Sequence, residues 1–107
     1  MLKGVLSLLL LQLCSARADY GYALVVRLQE LGFDDLAEGT VYPALTRLES
    51  QGLLESHLVR STSGPARKYY RTTPAGGLEL ARARADWLAL VGAVDSTLAV
   101  PIPEVQP

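Results

Sequence analysis

One cysteine and one histidine, Cys14 and His57, are all that 107 residues contain. A single thiol excludes an internal disulfide, and the pair is too small to close a tetrahedral zinc site within one chain. A reducing, cytosolic compartment is the expectation. An excess of charge of one sign is also lacking. Ten basic residues against 11 acidic give a net charge of -1. No global positive field therefore draws in nucleic acid, and any such surface has to be a local patch. No apolar run reaches about 18 residues, so no membrane-spanning helix is expected. There is no Gly-rich phosphate loop, and Ser and His form no recognisable nucleophile arrangement. Neither an enzyme nor a cofactor is expected. What the chain does have is apolar content: half of its residues. That is enough for the core of one domain of ordinary size and argues against disorder.

The N-terminus has the outline of a lipoprotein signal, with Lys3 ahead of an apolar run of roughly nine residues and then Cys14. Gln12 and Leu13 stand where cleavage wants small side chains. The segment from about Leu2 to Cys14 is read instead as a core helix, apolar at 2, 5, 6, 8, 9, 10, 11 and 13.

Asp19 is the expected N-cap of a second helix, about Tyr20 to Leu31, with Leu24, Leu28 and Leu31 on one stripe and Gly32 closing it. A third helix runs from about Thr40 to Gln51 and stops at Gly52; Val41, Leu45 and Leu48 make its buried stripe. Pro43 is placed in its first turn, where a missing N–H costs nothing. Leu53 to Ser61 alternates loosely and reads as a strand, Ser61 to Pro65 as a turn, and Arg67 to Thr72 as a second strand. Thr73-Pro74 opens a last helix reaching about Val100, roughly 40 Å long.

The order is helix, helix, helix, two-stranded hairpin, long helix. This predicts a mainly α fold with a small β-hairpin: a winged helix-turn-helix with a long C-terminal dimerisation helix. Residues 1–73 form the DNA-binding domain, 74–100 the dimerisation helix and 101–107 a flexible tail.

Three blocks make the chain recognisable. They are Gly39-Thr-Val-Tyr-Pro-Ala-Leu-Thr-Arg-Leu-Glu49, Gly52-Leu-Leu-Glu55 and Gly64-Pro-Ala-Arg-Lys-Tyr-Tyr-Arg71-Thr-Thr, preceded by the Tyr20-Gly21-Tyr22 step. Together they resemble the PadR family of bacterial transcriptional regulators, in its short branch with a single C-terminal helix. The resemblance implies a dimeric repressor on a palindromic operator, released by a small molecule. In one branch, flat aromatic compounds stack on a tryptophan of the last helix at the dimer interface, where Trp87 falls here. Ala37 stands where the family often has a Ser or Asn cap, Glu38 adds a carboxylate beside the expected DNA, and the wing has one arginine fewer. These departures lower the expected strength of DNA binding.

The physical case for DNA is local. Arg60, Arg67, Lys68 and Arg71 are uninterrupted by any acid, for a local charge of +4. Such a cluster neutralises phosphates and releases counterions, although a charged hairpin can also simply be solvated. On the third helix Thr40, Tyr42, Pro43, Thr46, Arg47 and Ser50 face a groove. Arg47 either reads guanine or pairs with Glu49 or Glu55. Tyr22 either donates to a phosphate at its helix N-terminus or packs. Tyr69 and Tyr70 point to opposite faces of their strand.

The last helix has two apolar seams, one through Leu80, Trp87, Val91, Val94 and Leu98, the other through Leu78, Ala81, Ala85, Leu88 and Gly92. One is expected on the first helix and the other on a second copy of the chain. Trp87 is then a packing anchor or a ligand platform, with Leu88, Val91, Leu6 and Leu10 as walls. His57 and Cys14, doubled in a dimer, leave an intersubunit divalent-metal site as the alternative effector. A winged-helix module that binds protein partners without DNA is the alternative function.

Overall fold

A computed structural model describes residues 2–104. The side chain of Leu2, counted above among the apolar positions, and the last residues of the tail, 105–107, lie outside the described residues. The elements are α1 (Leu2–Ala16), β1 (Asp19–Tyr20), α2 (Gly21–Glu30), α3 (Glu38–Ser50), β2 (Leu54–Ser61), β3 (Gly64–Thr72) and α4 (Pro74–Leu98). The strands form one antiparallel sheet in the order β1-β3-β2. This is a winged helix-turn-helix: α2 and α3 are its two helices, and the β2–β3 hairpin is the wing.

Leucine builds the core. Leu6, Leu10, Leu11 and Cys14 of α1 meet Leu24, Val25 and Leu28 of α2 and Val41, Ala44, Leu45 and Leu48 of α3. Leu36, Leu54 and Tyr70 close it from the connection and the sheet. Each buried leucine contributes roughly 1.5–3 kcal/mol of transfer free energy. Helices α2 and α3 end alike, at a left-handed glycine (Gly32 at φ 107°, Gly52 at φ 76°). In both, the next N–H returns to a carbonyl inside the last turn, Phe33 to Leu28 and Leu53 to Leu48, each at 3.0 Å. Only a residue that tolerates positive φ closes a helix this way.

Four expectations shift. Asp19 does not cap α2. Its backbone is paired with Tyr70 in β1, which carries the extended chain one residue further, so the cap position falls to Tyr20 and has no side-chain bond. The Asp19 carboxylate turns inward instead, accepting from the Tyr20 N–H at 3.0 Å and from Arg27 Nη1 at 3.2 Å. Helix α3 starts at Glu38, with Ala37 as an uncapped N-cap. Pro43 therefore sits in the second turn and has no N–H to offer the carbonyl of Gly39, an exposed residue. Strand β3 begins at Gly64, because the turn tightens to Thr62-Ser63 and Ser61 pairs directly with Gly64.

The start of α4 is as expected. The Thr73 hydroxyl accepts from the Gly76 N–H at 3.0 Å and donates to the Gly52 carbonyl at 2.6 Å, with Pro74 in the first turn. Beyond that turn α4 runs against α1 and then outward. Of its 25 residues only Gly76 is buried. The radius of gyration, 17.6 Å, compares with about 13 Å for a compact chain of this length. The excess is the projecting helix.

Candidate DNA interface and helix cleft

Thr40, Tyr42, Pro43, Thr46 and Arg47 are all solvent-exposed on α3, opposite the stripe that the core buries. The Thr46 hydroxyl donates to the Tyr42 carbonyl at 3.2 Å and that of Ser50 to the Arg47 carbonyl at 2.9 Å. Both are bound back onto their own helix, which leaves Arg47 as the reaching side chain of this face. Its carboxylate partners are absent: Glu49 and Glu55 are engaged by Lys68 and Arg71. Among the described residues Arg47, Arg60 and Arg67 make no ion pair.

Tyr22 stands 55% exposed in the first turn of α2. A shallow hollow brings it together with Tyr20, Gly21, Tyr42, Tyr70, Arg67 and Lys68. Four elements meet here: β1, the N-terminus of α2, the N-terminal half of α3 and the wing strand β3. Burial, and then Glu38, raise the Tyr42 phenol above its ordinary value, so its O–H remains a donor at neutral pH.

The wing's cations differ in their partners. On the outer face the Arg67 guanidinium lies 4.4 Å from the centre of the Tyr20 ring, Tyr20 lies 5.3 Å from Tyr69, and Tyr69 lies 6.2 Å from His57. On the inner face Tyr70 enters the core, and Lys68 donates to Glu49 Oε1 at 2.8 Å. The Ser56 hydroxyl donates to the other oxygen of Glu49. These two hydrogen bonds hold Glu49 below the usual carboxylate range. Arg71 donates to Glu55 at 2.6 Å. Of the four wing cations, Arg60 and Arg67 are thus unpaired, while Lys68 and Arg71 are committed to carboxylates.

A second recess of about 390 Å3 opens between α1 and α4. Val5, Leu8 and Leu11 form one wall and Ala83, Trp87 and Leu90 the other, with Leu48 and Leu53 at the base. Trp87 is 37% exposed. At the rim Arg82 is held between Glu79 and Asp86. Leu6 and Leu10 are sealed in the core, and Leu88 and Val91, expected at an interface between two copies, do not line this recess. Helix α1 is apolar around most of its circumference, so its pattern alone could not say which leucines face inward.

The metal alternative loses one of its ligands. Cys14 is 2% exposed inside its own protomer, and burial pushes its thiol up to about 12, so it offers no thiolate to an ion shared with a second copy. His57 lies exposed on β2, beside Tyr69.

A family model described as "Transcriptional regulator PadR-like family" matches residues 10–82. The chain belongs to this family. A solved PadR-like transcriptional regulator from Bacillus cereus is similar over 94% of this chain and 98% of its own, at 37% identity and a TM-score of 0.85. A PadR-family regulator from Eggerthella lenta shares 40% identity over 92% of this chain and 85% of its own, with a TM-score of 0.82. A transcriptional regulator of Mycobacterium tuberculosis is 49% identical over 49 residues. That match spans 46% of this chain and 45% of the relative, less than half the length of either.

PadR proteins are regulators of transcription, so this chain belongs to a family of DNA-binding regulators. Among the described residues, no helix of this PadR chain is long and apolar enough to cross a membrane. Three features of the surface had no signal in the sequence: the β1 pairing, the seat of Arg67 on Tyr20, and the Glu49 link to the wing. Each is a contact between residues remote in the chain or too short to show periodicity.

Proposed function

We propose that the chain is a cytoplasmic, dimeric repressor that binds a palindromic operator through α3 and the wing and is released by a small planar ligand. The observation that carries this reading is the meeting of Tyr22, Tyr42 and Arg67 from three elements beside the exposed face of α3. Phenol hydroxyls and an unpaired guanidinium suit phosphate oxygens, and the N-terminus of α2 adds its dipole behind Tyr22. Arg47, free of carboxylates, meets a guanine edge. Arg60 and Arg67 neutralise backbone charge from the wing.

Dimerisation rests on α4. Leu78 and Leu88 are largely exposed on the projecting helix, and a second copy of the chain covers them. Two-fold symmetry then sets two α3 helices about 34 Å apart, one turn of duplex. The recess beside Trp87 is the effector site, its apolar walls suited to a flat aromatic ring.

The test is selection of duplexes from a random pool by the full-length chain, followed by anisotropy titration of the enriched duplex at several salt concentrations. An inverted repeat, bound by two chains with affinity falling steeply with salt, is expected. Failure to enrich any sequence would remove the reading and leave a winged-helix module for protein partners.

A further inference from the structure

We infer that Glu49 is a positioning residue for DNA specificity: it braces the wing against the recognition helix, and Lys68 is its strut rather than a phosphate ligand. The inference rests on the DNA reading of this face.

Glu49 stands in the last turn of α3, and its two carboxylate oxygens serve two different strands. Oε1 accepts from Lys68 on β3 at 2.8 Å, and Oε2 accepts from Ser56 on β2. One side chain therefore ties the end of the recognition helix to both halves of the wing. Lys68 is confined from its other side by the Tyr70 ring, 5.4 Å away, and Tyr70 is itself in the core. The bridge is 30% exposed at Glu49 and 48% at Lys68, so it stands at the edge of the surface that meets DNA.

A fixed angle between α3 and the wing has a specific consequence. Base contacts from α3 and phosphate contacts from Arg60 and Arg67 are then satisfied in a single register, which only the right sequence offers. A loose wing finds phosphates on any duplex. Loss of the brace therefore lowers specific binding but not random binding. A carboxylate that merely repelled DNA has the opposite signature, because its removal strengthens both.

The experiment uses the full-length chain, the duplex that the wild type enriches from a random pool, and a scrambled duplex of equal length. Glu49→Gln is expected to lower the ratio of the two affinities about tenfold, the low end for one lost charge-assisted hydrogen bond, with random binding unchanged or stronger. Lys68→Gln is expected to lower the ratio similarly while keeping the wild-type salt slope, since a true phosphate ligand takes about 0.9 from that slope. The exchange variant E49K/K68E is expected to restore the ratio. Equal strengthening on both duplexes by Glu49→Gln, or an unchanged ratio, overturns the brace. A reduced slope for Lys68→Gln returns Lys68 to the phosphate ligands and also overturns it. A wild-type chain that enriches no sequence overturns the DNA reading itself, and the inference with it.

Discussion

The ring of Tyr42 lies where a side chain on Gly21 would have to stand. The first turn of α2 and the face of α3 approach so closely at this point that glycine is the residue the contact admits. Because the obstacle is a half-exposed ring rather than backbone, Gly21→Ala is expected to swing Tyr42 aside. The stability cost is then about 1 kcal/mol, the low end of overpacking, while affinity for the enriched duplex falls by about tenfold, or 1.4 kcal/mol. Urea unfolding and anisotropy titration of one preparation separate the two. A loss of stability with unchanged affinity would show that Tyr42 contributes packing alone.

Gly76 meets a different obstacle. A methyl group there runs into the main-chain carbonyl of Leu53, which cannot rotate away because Leu53 is hydrogen-bonded to Thr73 and Leu48. Gly76→Ala is expected to cost about 2–3 kcal/mol of stability, the upper range for forced overpacking. A shift in the urea midpoint corresponding to less than about 0.5 kcal/mol, the level of an ordinary surface change, would show that α4 is not seated on this carbonyl.

The contrast between these two glycines also shows what was legible beforehand. The Thr73-Pro74 start, the Gly32 and Gly52 stops and the opposed faces of Tyr69 and Tyr70 depend on a few adjacent residues, and each appears where the local pattern puts it. Asp19 read as a cap on equally good local grounds, but pairing with Tyr70, 51 positions away, drew its backbone into the sheet. Pro43 was displaced into the second turn because nothing in Leu36-Ala37-Glu38 marks a helix start by side-chain chemistry. The exposed α3 positions follow from helical periodicity. Lys68 does not, because its carboxylate partner comes from another element.

The buried thiol gives the protein an alkaline limit. Burial is the main reason that Cys14 is pushed from 9.0 to about 12; Arg27 opposes the shift slightly and Asp19 adds to it. The raised value favours the neutral thiol in the folded state. Its contribution to stability is therefore complete below pH 9 and is lost as pH climbs from 9 towards 12. Over that window the loss is at most about 1.4 kcal/mol per pH unit. Urea unfolding at pH 8.0 and 10.5 is expected to show a steeper decline for the wild type than for Cys14→Ala, whose cavity cost does not vary with pH. Parallel declines would mean that the thiolate is accommodated without unfolding.

Trp87 and Leu88 are neighbours in sequence that serve different surfaces of α4. Trp87 forms a wall of the recess against α1, whereas Leu88 is 63% exposed and lines none of it. If a second copy of the chain covers the flank bearing Leu78 and Leu88, then Leu88→Glu places a charge in that interface. Burying an unpaired carboxylate costs more than the roughly 1.5–3 kcal/mol a leucine gains there. The variant is expected to sediment as a monomer and still quench when a planar aromatic compound enters the recess. Trp87→Ala is expected to do the reverse, remaining a DNA-binding dimer that no longer takes up the compound. Ring stacking supplies only about 0.5–1.5 kcal/mol beyond burial, so micromolar affinity also needs the walls from Val5, Leu8 and Leu90. Equilibrium dialysis follows uptake in the variant that lacks the fluorophore. A monomeric Trp87→Ala would make the tryptophan a packing anchor, with the recess filled by protein in the dimer and closed to any effector.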